Sequence, residues 1–89
     1  MSDPQETLFS FPCSFPIKAM GLANRGLESA VIEIVRRHAP GFDETAVSLR
    51  PSRGGKWISV TVTIEAHGKP QLDAIYRELT AHELVIWAL

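Results

Sequence analysis

Lys56-Trp57-Ile58-Ser59-Val60-Thr61-Val62-Thr63-Ile64-Glu65-Ala66 decides the fold. Ile58, Val60, Val62, Ile64 and Ala66 fall on one side of an extended chain. Trp57, Ser59, Thr61, Thr63 and Glu65 fall on the other. Strand side chains alternate with a period of two, and β-branched residues suit a pleated, half-buried surface. The stretch therefore predicts a central strand of an antiparallel sheet, apolar toward a core and open on its other face.

The elements on either side supply that strand's partners. C-terminal to it, His67-Gly68-Lys69 turns into a helix with Pro70 at its first position, where the missing amide hydrogen costs nothing. Leu72, Ile75, Tyr76 and Leu79 form its inner stripe. Glu83–Leu89 predicts a last strand, with Val85, Trp87 and Leu89 toward the helices and Leu84, Ile86 and Ala88 on the open face. N-terminal to it, Pro51-Ser52-Arg53-Gly54-Gly55 makes a hairpin connection from a strand over Thr45–Arg50, with Val47 and Leu49 inward. Further back, Leu27, Ala30, Val31, Ile34 and Val35 recur at three- and four-residue steps, which predicts a helix from Leu27 to His38. Asn24 is its expected N-cap and Pro40-Gly41 its end. Cys13–Met20 alternates Phe15, Ile17 and Ala19 against Ser14, Pro16, Lys18 and Met20 as the first strand, closed by Gly21. Pro16 cannot donate to a ladder, so irregular pairing is expected at that end.

Strand, helix, strand, strand, helix, strand is the split βαβ, or ferredoxin-like, α+β arrangement. Right-handed crossovers give the antiparallel order 4-1-3-2 with both helices on one face. Residues 1–12 read as an N-terminal tail, polar to Thr7, with Leu8, Phe9 and Phe11 apolar enough to lie against the body. Residues 13–89 read as one domain.

Composition bounds the function classes. The chain has 89 residues, 45% hydrophobic and 21% charged, which suits one modest core. A net charge of -1 and a pI near 6.3 give no global drive toward nucleic acid or an acidic membrane. The single cysteine, Cys13, excludes an internal disulfide and suits a reducing compartment. No apolar run reaches the roughly 20 residues that span a bilayer, and Met1–Glu6 is acidic where a signal peptide is basic. A cytoplasmic location is expected.

Candidate chemistry is sparse. His38, His67 and His82 share no helix face, whereas zinc needs three or four converging ligands, so no metal and no cofactor are expected. Cys13 has no adjacent base to activate it, and no paired carboxylates stand out for acid–base work. No enzyme signature emerges. Arg53-Gly54-Gly55-Lys56 joins two strands and lacks the context of a phosphate loop. With Lys18 and Arg50, Arg53 and Lys56 could form a basic patch beside the open face. RNA-recognition domains stack bases on aromatics of this topology's central strands, but only Trp57 stands at such a position here, which disfavours nucleic acid as a partner. An edge strand apolar on both sides is a liability unless covered, either by the chain's own Leu8–Phe11 or by a partner. Leu84, Ile86 and Ala88 are therefore a candidate interface, for a protein partner or a weak homodimer through the sheet.

Phe11-Pro12, Lys18-Ala19-Met20-Gly21, Arg37-His38-Ala39-Pro40-Gly41, the Ser/Gly-rich hairpin and Ser59–Ile64 together resemble the YbeD-like family, small uncharacterised bacterial proteins. The resemblance runs from about Leu8 to Leu89. It implies a ferredoxin-like fold similar to the ACT regulatory domains of amino-acid metabolism, and an occasional gene neighbourhood with lipoate biosynthesis. It assigns no catalytic residues. ACT domains place an acidic residue or Asn, a Pro-Gly turn and a Leu at the start of their first helix. Asn24-Arg25-Gly26-Leu27 is similar, with Arg25 in place of the proline. The comparison implies a small anionic metabolite near Gly21, Asn24, Arg25 and Gly26, at a helix N-terminus suited to anions. A plain helix cap accounts for the same residues. The reading is a non-enzymatic regulatory or adaptor domain, the alternative a nucleic-acid-binding module using the basic hairpin and the open face.

Overall fold

A computed structural model describes residues 10–89, in the order β1 (Cys13–Leu22), α1 (Leu27–His38), a 3-10 turn (Glu44–Ala46), β2 (Val47–Pro51), β3 (Trp57–Ala66), α2 (Lys69–Ala81) and β4 (Trp87–Ala88). The four strands form one antiparallel sheet in the order β2-β3-β1-β4. This is the expected 4-1-3-2 read from the other edge. The expectations for Leu8 and Phe9 lie outside the described residues.

The core is the covered face of the sheet and the inner stripes of the helices. Ile17, Ala19, Val60, Val62, Ile64 and Ala66 point into it from β1 and β3. Leu27, Val31, Ile34 and Val35 of α1 meet them, with Leu72, Ile75 and Leu79 of α2. The alternation of β3 is thus realised residue by residue.

Local departures from the expectations have identifiable causes. Pro16 does not disturb the ladder, and β1 pairs with β3 without a break from Cys13↔Ala66 to Leu22↔Trp57. Lys18 N–H donates to Leu89 O and Met20 O accepts from Ile86 N–H, so the even-numbered groups of β1 turn toward β4. Pro16 belongs to that set and lies beyond the Lys18–Leu89 bonds. Its missing N–H therefore costs β3 no partner. β1 also runs past Gly21 to Leu22. A Cβ on Gly21 would sit 2.2 Å from the Leu84 carbonyl oxygen, so a side chain here would have to displace backbone.

Asn24 does not cap α1. The cap position is Gly26, with φ 86°, and no side chain bonds to the helix start. Asn24 itself adopts φ 62°, a region where Asn is among the better-tolerated residues. β2 begins at Val47 because Glu44–Ala46 forms a 3-10 turn, fastened by Asp43 accepting from Thr45 N–H at 2.9 Å. Leu49 pairs with Val60 on the covered side, yet it is 44% exposed, whereas Val47 on the same strand packs against the core.

The last strand carries the main correction. Glu83–Leu89 does not extend as a seven-residue strand: Val85 N–H donates to His82 O and Leu84 N–H to His82 Nδ1, which makes a turn. Leu84 and Val85 both pack against the core. Ile86 N–H donates to Met20 O, and Trp87 also pairs with Met20, so two residues oppose one as in a β-bulge. After the bulge, Ala88 pairs with buried Ala19 on the covered face and Trp87 with Met20 on the open face. The expected register is off by one, and Trp87 and Ala88 exchange sides.

Candidate functional site: the open face of the sheet

The strand registers assemble a row across all four strands on the uncovered face: Arg50 of β2, Ser59 of β3, Met20 of β1 and Trp87 of β4. Beside it, Trp57 pairs with Leu22; on the other flank, Ser48, Thr61 and Lys18 form the next row. Met20, Leu22, Trp57 and Trp87 are half-buried. Ser59 in their midst is only 7% exposed although no helix covers it. Ile86, at the bulge, is 55% exposed. The result is a small apolar cluster with two indole rings, on the side of the sheet turned away from the helices.

Cations border it. Lys56 Nζ stands 5.3 Å from the centre of the Trp57 ring, a cation–π contact. Arg50 closes the row on the β2 edge and Lys18 lies in the next row. Arg53 sits at the hairpin tip, where Gly54 and Gly55 have positive φ. Trp57 N–H donates to Ser52 Oγ and Ser52 N–H to Trp57 O, so the hairpin base is held from both sides. The four residues of the expected basic patch thus occupy the hairpin and its side of the open face.

The expected ligand loop is not brought together. Gly21 is buried in β1 against Leu84, whereas Asn24, Arg25 and Gly26 lie at the surface. Of the expected interface residues, Leu84 and Ala88 pack against the core and Ile86 alone is exposed. Trp87 was missed because a helix-facing place was expected for it. The turn-forming His82 was the available signal, since a turn before a strand resets its parity.

A cleft of about 720 Å3 opens at the opposite end of the sheet, among Cys13, His38, Phe42, Glu65, His67 and Gln71. Several of its polar groups already serve the fold. His38 Nε2 meets the Glu78 carboxylate, which Arg37 also pairs at 2.8 Å. The His38 hydrogen bond, aided by the charges of Arg37 and His38, holds the Glu78 carboxyl below its ordinary range. Gln71 accepts from His67 N–H at 2.7 Å and donates to His38 O at 2.9 Å, stitching α2 to the end of α1. The Thr45 bond likewise keeps the Asp43 carboxyl low. Cys13 is a half-buried free thiol. Among the described residues no group of three or more His, Cys, Asp or Glu could hold a metal, and no helix is long and apolar enough to cross a membrane.

Residues 6–89 match the model of a family described as "Protein of unknown function (DUF493)". Curated relatives called UPF0250 proteins cover nearly the whole chain. One from Paraburkholderia phymatum is 44% identical over 85 residues, 96% of both chains. One from Nitrosomonas europaea is 42% identical over 96% of this chain and 98% of its own. One from Chromobacterium violaceum is 46% identical over 96% of both. The solution structure of protein HP0495 from H. pylori superposes with a TM-score of 0.70 at 15% identity, covering 91% of this chain and 85% of that one. At that identity the likeness concerns the fold.

Proposed function

The chain belongs to the DUF493 family, bacterial proteins of unknown function that include the UPF0250 relatives and bear out the YbeD-like resemblance, and from that premise we propose that it is a non-catalytic adaptor domain that docks a protein partner on the open face of its sheet. The observation that carries this is the placing of Trp57 and Trp87 on one uncovered face around Met20, with Arg50 in the same row. Trp, Met and Arg are the side chains enriched where proteins bind one another, and Trp and Arg dominate the residues whose truncation costs most. An anionic metabolite at Asn24–Gly26 has less support, because Gly21 is committed to packing against Leu84.

The test is retention of a partner from native-host extract by the immobilised chain and by its Trp87→Ala variant. The reading expects a protein held by the first and lost by the second. A partner held equally by both overturns the open face as the working surface. The same two tryptophans favour a second reading, single-stranded nucleic acid stacked on the indoles with Lys18, Arg50, Arg53 and Lys56 on the phosphates. That reading requires affinity that falls steeply with salt, because each phosphate contact releases counterions.

A further inference from the structure

Charge is segregated in this small domain although the net charge is close to zero. Of the acids among the described residues, Glu28, Glu33, Asp73 and Glu78 ride on the helices, and Asp43, Glu44 and Glu83 lie in connections. Glu65 is the one acid on the open face of the strands. It pairs with Ser14, six residues along β3 from Ser59, about 20 Å at the rise of a strand. The cations divide differently. Arg36 pairs with Glu44, and Arg37 with Glu78, on the helical side. Lys18, Arg50, Arg53 and Lys56 take part in none of the ion pairs among the described residues. Lys56 rests instead on the Trp57 ring. The apolar cluster is thus bordered by cations that form no ion pair among the described residues, and the one acid on the same face of the strands, Glu65, lies at its far end.

We infer, building on the adaptor reading, that the partner docked on the open face is a different protein that presents an acidic segment with an apolar anchor. The anchor meets Met20, Trp57 and Trp87, and its carboxylates meet Arg50, Lys56 and Lys18. A planar guanidinium at Arg50 can take a carboxylate through two parallel bonds. A second copy of this chain does not fit the same patch. A two-fold axis through the tryptophans would crowd both sets of cations around one cluster, a like-charge arrangement that suppresses wrong partners. Opposite charge across the rim would also speed encounter, so binding should be faster at low salt.

The experiment titrates the isotope-labelled full chain with two synthetic peptides that share one central Leu-Trp anchor, flanked by Glu in one and by Lys in the other. The Glu peptide is expected to move the indole N–H signals of Trp57 and Trp87 and the Met20 methyl. The Arg50→Glu variant should bind it about tenfold more weakly, and Arg50→Gln should fall between, which keeps the result readable if the reversed charge disturbs folding. Equal or tighter binding of the Lys peptide, or no response to either peptide, overturns the acidic partner. Displacement of the Glu peptide by polyuridylate, with steep salt dependence, overturns it in favour of nucleic acid. Failure of the adaptor reading is scored separately, by a native partner that Trp87→Ala still retains.

Discussion

The two faces of one sheet are built from alternate residues of the same strands, yet they have opposite fates. Ile17, Ala19, Val60 and Val62 have no exposed surface, whereas their neighbours Lys18, Met20 and Thr61 remain half-buried. The covered face is satisfied by the molecule's own helices. The open face gathers two tryptophans, a methionine and unpaired cations, and no helix or strand among the described residues covers them. On the adaptor reading, stability belongs to the first face and binding to the second, and substitutions should separate the two.

The largest effect should come from Ile17→Ala. It removes a fully buried side chain beneath α1 and α2, which typically costs about 2–5 kcal/mol. Met20→Ala, three residues away on the other face, should cost about 1 kcal/mol by comparison with partly exposed sites. Urea unfolding of both variants measures the difference. Equal losses would mean that the open-face cluster is a second core.

Gly21→Ala should come next, at about 1–3 kcal/mol. The added methyl meets the Leu84 carbonyl oxygen at 2.2 Å, so either β1 or the turn before β4 must move. Hydrogen exchange at Ile86, whose N–H donates to Met20 O, should accelerate in this variant. Unchanged stability with unchanged exchange would show that the close approach of Gly21 to Leu84 is not part of the fold in solution.

A smaller effect concerns the corner where α1 meets α2. The Glu78 carboxyl is held below its ordinary value of 4.5, chiefly by the His38 hydrogen bond. A depressed carboxylate contributes stability that is present above its unfolded value and lost as pH falls through the folded one. The chain should therefore lose stability as pH drops below 4.5, and Glu78→Gln should flatten that part of the profile. Urea midpoints measured across the acid range check it; parallel profiles for the two proteins would remove Glu78 from the account.

Legibility in the sequence follows the same division. β3 could be read because every inward residue lies on one unbroken period, and α1 and α2 because their stripes are set within single elements. The open face could be read only where parity was uninterrupted, so Trp57 was assigned correctly and Trp87 was not. Its side is fixed by the His82 turn and by Ile86 and Trp87 sharing Met20. The second of these is a contact between segments more than 60 residues apart in the chain, numbered 20 and 86, and local alternation carries no information about it. Asn24 was misread for a related reason. Its composition suits a cap, but the backbone turns at Asn24 and again at Gly26, leaving the cap position to the glycine.

The smallest expected effect is the most direct check on that reassigned strand. Ile86 is 55% exposed and uses its backbone, not its side chain, to hold Met20. Ile86→Lys should therefore change stability by no more than about 0.5 kcal/mol, as at other exposed sites. A lysine also keeps the N–H, so the bulge should persist. The Trp87 indole signal should shift because its neighbour has changed, while the methyl signals of Ile17 and Val60 stay in place. If Ile86→Lys instead costs as much as Gly21→Ala, Ile86 belongs to the core. Parity would then run unbroken from Ile86 on the covered face to Trp87 on the open face, and there would be no bulge opposite Met20. Trp87 would keep its place opposite Met20 on the open face, so that outcome would remove the bulge and leave the tryptophan pair of the adaptor reading intact.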